Sequence, residues 1–545
     1  MKKELSEIQE LISIGNYRKG LLKAEVIYKK NTNNINIVKI LAQIHFLMEK
    51  FEKASSVLSD FILSNPSKAD FECYNNLGSY LKKQEEYQTA IKNLEQAINL
   101  NSTQPYSYIN LAEIYLVLRQ FDNAEENIKK SLKIYQESKT NNQELLSSII
   151  HIYCSVNLAK KNNHLSLELI DGFLQNQFNE DLFYEKASIQ KNLLDKKEVD
   201  NAIKHLLKYD QTIKIKKHRF KKIIPLLFSL AMHYQKIEKK ESELYYDLAN
   251  REVFNILRYN SYDDQKKILE LIDTYENNFE TLNADHDLKG ERNFFIVGTP
   301  RSGTTLTESI ITANEDIFAA GELTSLSFHI EKYLSSSELS SGRGLEKLIE
   351  KVSTNYLQKT DFIRQNYPYV VDKMPANFNY IGFIHKIFSK CKIIRTLRNP
   401  WDTAISLYMQ RYVQNIPYSS SFFNIGVFMA NYEAINIYWD SKMDKNRILT
   451  IKYEDLVENQ NVNQLKIYEF LGISSEYNSK KRENFYANTA SSNQVQKDVY
   501  TTSINKDDFV HHKSSFIDSF LNQREYWRSK GIRSKDEAFF GYKIQ

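Results

Sequence analysis

A 34-residue periodicity governs the first third of the chain. Leu77-Gly78-Ser79-Tyr80, Tyr87-Gln88-Thr89-Ala90, Leu94 and Ala97 recur 34 positions later as Leu111-Ala112-Glu113-Ile114, Phe121-Asp122-Asn123-Ala124, Ile128 and Ser131. A third copy keeps the internal spacing with Leu41-Ala42, Phe51 and Ala54, and a degenerate first copy retains Tyr17 and Gly20. Small residues at 42, 78 and 112, and again at 54, 90 and 124, let two helices approach closely. Phe51, Tyr87 and Phe121 fill the space between neighbouring pairs. Each copy is therefore a helix hairpin that cannot bury its apolar face alone, and only a stack of them makes a continuous core.

Scarce helix breakers agree with this, since 545 residues contain only 15 Gly and 8 Pro. The period and its small and aromatic positions resemble the tetratricopeptide repeat. The helical pattern continues more loosely from about 144 to 257 and closes on Leu230-Ala231-Met232-His233-Tyr234 followed by Leu244 to Asn250. About six to seven helix pairs are expected, stacked as a solenoid with a concave face. Such an array either supports and dimerises the chain or holds a peptide or protein partner, and the pattern does not choose between them.

The rest of the composition mainly excludes. A net charge of +5 gives no case for nucleic-acid binding. Three scattered cysteines, Cys73, Cys154 and Cys391, form neither a disulfide framework nor a CxxC zinc site. The N-terminal segment carries Glu4, Glu7 and Glu10 and lacks the apolar run of a signal peptide. The longest apolar stretch, Ile223 to Met232, is too short to span a bilayer. A cytoplasmic location without a membrane span is the expectation. His511 and His512, beside Lys513, have no further ligand at useful spacing and are expected in a solvated loop.

Near residue 285 the pattern changes. Asn293 to Val297, Tyr369 to Val371, Lys392 to Leu397 and Ile448 to Ile451 are short apolar runs separated by helical stretches. Strands alternating with helices imply a parallel sheet with crossover helices. The expected organisation is a helical repeat array over 1–285 and an α/β domain over 290–545.

The first of these strands opens on Gly298-Thr299-Pro300-Arg301-Ser302-Gly303-Thr304-Thr305, whose two glycines stand five apart as in the P-loop. Glycines let backbone N–H groups close on phosphate oxygens, and the next helix adds its positive end and the Thr304 and Thr305 hydroxyls. Thr304 stands where a nucleotide hydrolase has its lysine, and the basic group is Arg301, inside the loop. A second strand-turn-helix segment, Arg395 to Tyr408, sets Arg398 at the strand end and Ser406 two turns into the helix, a fork and a hydroxyl suited to a phosphate dianion.

The loop Pro300-Arg301-Ser302-Gly303-Thr304-Thr305 resembles the 5′-phosphosulfate loop of the sulfotransferases, and Arg398 with Ser406 resembles their 3′-phosphate site. Gly321-Glu322, Asp372-Lys373-Met374-Pro375, Lys452-Tyr453-Glu454 and Thr489 to Val495 follow in the order of the tyrosylprotein sulfotransferases and of bacterial repeat-containing relatives. A further match to those relatives is the Leu248-Ala249-Asn250 turn. The resemblance implies an α-helical tetratricopeptide-repeat solenoid followed by a P-loop-like sulfotransferase domain. It further implies transfer of a sulfonate from 3′-phosphoadenosine 5′-phosphosulfate to an acceptor hydroxyl of protein tyrosine or carbohydrate, without a metal. By the same resemblance Glu322 is the general base, Arg301, Lys373 and Ser491 stabilise charge, and Ser302, Gly303, Thr304, Thr305, Arg398, Ser406, Tyr453, Ser491 and Lys506 hold the nucleotide. The chain departs from the family at Gln410, where an arginine is usual and Arg411 follows, and at Asp507, which replaces a tryptophan. Two other readings compete: a repeat-based interaction scaffold with a non-catalytic nucleotide-binding domain, and a P-loop nucleotide kinase.

Overall fold

The computed structural model describes residues 2–138, 140–190, 193–214, 216–280, 290–334, 342–412, 416–483, 485–486, 504, 507–533 and 538–543. The chain forms two compact units, Met1–Lys160 and Lys161–Gln545.

Among the described residues the first unit is a succession of nine helices: α1 (Lys2–Ser13), α2 (Tyr17–Lys30), α3 (Ile35–Leu47), α4 (Phe51–Ser64), α5 (Phe71–Lys83), α6 (Tyr87–Leu100), α7 (Pro105–Val117), α8 (Phe121–Glu137) and α9 (Gln143–Ala159). The repeat positions do the packing expected of them. Ala42, Ala54, Ala90, Ala112 and Ala124 are fully buried. A Cβ on Gly78 would stand 2.6 Å from Leu94 Cγ, so α5 and α6 meet only because that position is glycine. Phe46 stacks on Tyr80 at 4.6 Å between successive hairpins. Polar ties join successive hairpins: Lys39 bonds Asp70 at 2.9 Å, and Lys82 bonds Asn110 at 2.7 Å and pairs with Glu113.

Among its described residues the second unit begins with the helices α10 (Asn163–Asn176), α11 (Glu180–Ile189), α12 (Lys196–Thr212), α13 (Lys216–Tyr234), α14 (Lys239–Leu257) and α15 (Ser261–Thr274). Then strands alternate with helices: β1 (Asn293–Gly298), α16 (Thr304–Ile311), β2 (Ile317–Gly321), α17 (Ser325–Leu334), α18 (Gly342–Arg364), β3 (Tyr369–Lys373), α19 (Ile381–Ile387), β4 (Lys392–Leu397), α20 (Pro400–Tyr408), α21 (Phe422–Lys442) and β5 (Ile448–Lys452). Helices α22 (Tyr453–Glu458), α23 (Gln460–Leu471), α24 (Ser479–Glu483) and α25 (Lys513–Ser529) follow. The four strands expected from the sequence form. A fifth, β2, escaped notice because Ile317-Phe318-Ala319-Ala320 is short and half alanine. Asn250, read as part of a turn, lies inside α14 and is buried there.

All strands run parallel in the order β2-β3-β1-β4-β5. On one face Phe294 and Ile296 pack with Leu306 and Ile310 of α16 and with Ile467 and Tyr468 of α23. On the other, Phe295 stacks on Tyr356 and Phe388. With both faces covered, β1 is buried along its whole length, as a central parallel strand must be. The register aligns Ile296 with Lys373 and Gly298 with Thr396, so the carboxyl ends of the strands finish together. In open parallel sheets that edge is where ligands bind.

Candidate active site

Every strand delivers a chemically active segment to that edge: Gly298 to Gly303 after β1, Gly321-Glu322 after β2, Lys373 ending β3, Arg398 after β4 and Tyr453 after β5. The loop after β1 is held tightly. A Cβ at Gly298 would lie 2.4 Å from Thr396 Oγ1 and one at Gly303 2.5 Å from Tyr453 Cδ2. Gly303 has φ 96° and Arg301 has φ 70°, both left-handed, which turns the chain sharply into α16. Ser302 Oγ bonds Thr299 O and Thr396 Oγ1, each at 2.7 Å, so this hydroxyl braces the loop. No side chain caps the N-terminus of α16, and its first-turn N–H groups, with the buried Thr304 and Thr305, suit an anion.

Two guanidinium groups meet there. Arg301 Nε donates to Ser406 Oγ at 3.0 Å, and Arg398 Nη1 donates to the carbonyl of Arg301 at 2.9 Å. The Arg398 guanidinium lies over the Tyr453 ring, 4.5 Å from its centroid. Burial lowers the Arg398 pKa, and the neighbouring Arg301 charge acts the same way. The group still keeps its proton, so the pocket concentrates positive charge that a dianion would relieve. Asn399 places Arg398 by capping α20, accepting from Trp401 N at 2.9 Å and Asp402 N at 3.1 Å.

At the other end of the edge, Lys373 Nζ donates to Glu322 Oε1 at 2.5 Å. The lysine side chain is wholly buried whereas the carboxylate is 37% exposed. The Glu322 turn is fixed from behind: Gly321 N donates to Glu308 of α16 at 3.2 Å, and Asp372, next to Lys373, accepts from Tyr356 at 2.7 Å.

Two aromatic residues that sequence reasoning missed complete this side. Burial pushes the Tyr412 phenol well above its ordinary pKa, with Arg301 opposing and Glu322 reinforcing the shift. Its buried hydroxyl has no partner among the described residues. Burial likewise raises Tyr184, on α11, against the charges of Arg411 and Arg301. Arg411 lies over the Tyr184 ring at 4.8 Å and bonds Asp181 at 2.6 Å. Only the flagged departure at Gln410-Arg411 pointed toward this corner; nothing in the loose helical pattern around 184 did.

Of the residues expected from the sequence, Arg301, Ser302, Gly303, Thr304, Thr305, Glu322, Lys373, Arg398, Ser406 and Tyr453 all lie along this edge. Ser491 and Lys506 lie outside the described residues. Asp507 pairs with Lys239 at 2.9 Å. The expectation that His511 and His512 are a solvated loop is corrected: both dock on Asp247 of α14, because carboxylates from the helical region reach them across the fold.

Residues 293–477 match the family model described as "Sulfotransferase family", and residues 10–163 match the model "ChAPs (Chs5p-Arf1p-binding proteins)". An uncharacterized protein of Aquifex aeolicus (strain VF5) is 29% identical over 234 residues, 40% of this chain and 30% of that one. Sulfotransferase 6B1 of Mus musculus is 36% identical over 110 residues, 18% of this chain and 36% of that one. The chain thus spans about a third of the length of these curated relatives. Among solved structures, the sulfotransferase domain from the Synechococcus PCC 7002 olefin synthase is 20% identical, covering 47% of this chain and 92% of that one at a TM-score of 0.27. A tetratricopeptide repeat protein from Parabacteroides merdae ATCC 43184 is 12% identical, covering 48% of this chain and 93% of that one at a TM-score of 0.33. Residues 293–477, which open on β1, are thus similar to a sulfotransferase-family domain, and helical hairpins of 34-residue period precede them in the chain.

Proposed function

We propose that this chain is a sulfotransferase that moves a sulfonate from 3′-phosphoadenosine 5′-phosphosulfate to an acceptor hydroxyl on a polypeptide or a carbohydrate. The observation that carries the reading is the meeting of Arg301, Arg398 and Ser406 on a loop that has Thr304 where a triphosphate-binding loop has lysine. The uncapped start of α16 with Thr304 and Thr305 suits the 5′-phosphosulfate, and Arg398 with Ser406 suits the 3′-phosphate. Tyr453, under Arg398 and against Gly303, supports the nucleotide side of the pocket.

In the reaction the acceptor oxygen attacks sulfur as the bond from sulfur to the bridging phosphate oxygen breaks, releasing adenosine 3′,5′-bisphosphate. Glu322 takes the acceptor proton, a role its partial exposure favours because an incoming hydroxyl can reach it. Lys373 and Arg301 are fixed cations that stabilise charge on the sulfonate and the leaving phosphate. Ser491 and Lys506 complete the nucleotide contacts in this reading. The repeat helices of the first unit are the candidate surface for a peptide or protein partner.

The test is to incubate the chain with donor carrying labelled sulfur and a fractionated cell extract, and to identify by mass analysis whatever gains sulfate. Thermal melting with adenosine 3′,5′-bisphosphate and with ATP accompanies it. Stabilisation by the bisphosphate but not by ATP is the expected result. Stabilisation by ATP alone favours a kinase, and no response to either nucleotide favours the scaffold.

A further inference from the structure

Two adjacent histidines and a carboxylate remote in the sequence meet at residues that the transfer reaction does not use. His511 and His512 belong to the short turn Val510–His512 ahead of α25, and Asp247 lies on α14. His512 Nε2 is 3.1 Å from Asp247 Oδ1, and His511 Nε2 is 3.5 Å from Asp247 Oδ2. One ligand atom from each of the three residues lies within 4.8 Å of the others. Around an ion bonded at about 2.0–2.2 Å in tetrahedral geometry, adjacent ligand atoms stand about 3.4 Å apart. Both histidine–aspartate separations, each to a different oxygen of the one carboxylate, are of that order.

The surroundings orient these ligands as metal ligands are oriented. Glu243 Oε2 faces the second nitrogen of His511, Nδ1, at 3.7 Å. The other Glu243 oxygen is fixed by the Phe509 N–H at 2.9 Å. At that distance Glu243 acts on His511 through charge and not through a hydrogen bond, near the place where a metal-bound histidine usually has its outer carboxylate. Tyr408 donates to Asp247 Oδ1 at 2.7 Å, leaving Oδ2 toward His511. The His512 ring stacks on Phe422 with centroids 5.1 Å apart, which restrains its rotation.

We propose that Asp247, His511 and His512 bind one Zn²⁺ ion, which fastens the segment around residues 507–512 to helix α14. Two imidazole nitrogens and one carboxylate favour a borderline transition ion over Mg²⁺ or Ca²⁺, which take oxygen ligands. Water completes the coordination, since all three side chains are partly exposed. The neighbouring ion pairs from Lys239 to Asp507 and Asp508 already tie the same segment to the same helix.

The experiment uses the full chain stripped with EDTA, titrated with Zn²⁺ by calorimetry and with Co²⁺ by visible absorbance. One equivalent of Zn²⁺ and a tetrahedral Co²⁺ spectrum are expected. Asp247→Asn, which keeps the shape of the side chain, is expected to lose at least about tenfold in affinity, and Glu243→Gln about tenfold through its outer-support role. His511→Ala, at an exposed position, tests the site without endangering the fold. Circular dichroism in EDTA verifies that each variant is folded. A native chain that takes up no stoichiometric zinc at micromolar concentration overturns the assignment, as does uptake undiminished in both Asp247→Asn and His511→Ala. None of these readouts involves sulfonate transfer, so they stand or fall apart from that reading.

Discussion

Lys373 and Glu322, on turns that end neighbouring strands, are joined by one short hydrogen bond yet differ completely in exposure, the amine sealed in the protein and the carboxylate open on one side. In the proposed reaction a fixed cation stands behind a reachable carboxylate, so the lysine would stay in place while the glutamate meets the acceptor. Glu322→Gln keeps the shape and removes the base. Turnover is expected to fall by about 10²- to 10⁴-fold with nucleotide affinity nearly unchanged. Labelled-donor assays and calorimetry with the bisphosphate measure the two separately, and a fully active variant would take the base role away from Glu322.

Arg398 combines a bond to the loop carbonyl of Arg301 with a stack on Tyr453. Lysine keeps the charge but has neither the planar fork nor the stacking face. Arg398→Lys is expected to weaken bisphosphate binding about 10- to 100-fold, the loss of a charged hydrogen bond of about 1.5–3 kcal/mol. Calorimetric titration checks this, and unchanged affinity counts against a nucleotide role.

Gly303 combines a left-handed backbone with a neighbour that leaves no room for a side chain. Gly303→Ala is expected to cost about 1–3 kcal/mol from backbone strain and to displace Tyr453, reducing nucleotide binding as well. Denaturant unfolding followed by circular dichroism gives the first effect, and a variant as stable as the native chain would mean that the loop readily rearranges.

In the repeat helices, burial pushes the Asp70 carboxyl up, but Lys39 and the capped Cys73 N–H outweigh it and hold the pKa below its ordinary value of 3.8. A depressed folded-state pKa adds stability that is fully present above the unfolded value and is lost as pH falls through the folded one. Asp70→Asn keeps the cap and removes the titration. The stability advantage of the native chain over this variant is therefore expected at neutral pH and should shrink as pH falls below the ordinary Asp value of 3.8. Melting curves across that range test it, and a difference independent of pH would exclude the mechanism.

Much of this site is legible in the sequence because its parts are local. The loop from Gly298 to Gly303 sits between one strand and one helix, and Arg398 and Ser406 share one turn and one helix, so their spacing carries their meaning. What was not legible depends on distant contacts. The bond from Arg301 to Ser406 joins two motifs over 105 positions, and the stacking of Arg411 on Tyr184 brings in a helix with no sequence signal of its own. His511 and His512 have no partner nearby in the sequence, since Asp247 lies 264 and 265 positions away. Strand β2 was missed for a different reason: two alanines leave too little apolar bulk to stand out, and its burial comes from the sheet around it.

The change of composition near residue 285 is a tempting place to cut the gene, and the buried Asn250 shows why that would fail. Its amide holds the Tyr408 carbonyl at 2.8 Å, and Asp181 holds Arg411 at 2.6 Å, so both anchors come from helices upstream of the sheet. A recombinant fragment starting at 290 would leave the Tyr408 carbonyl and Arg411 without these partners. Crystallisation or inhibitor screening on a shortened protein should begin close to Lys161, where the second unit starts.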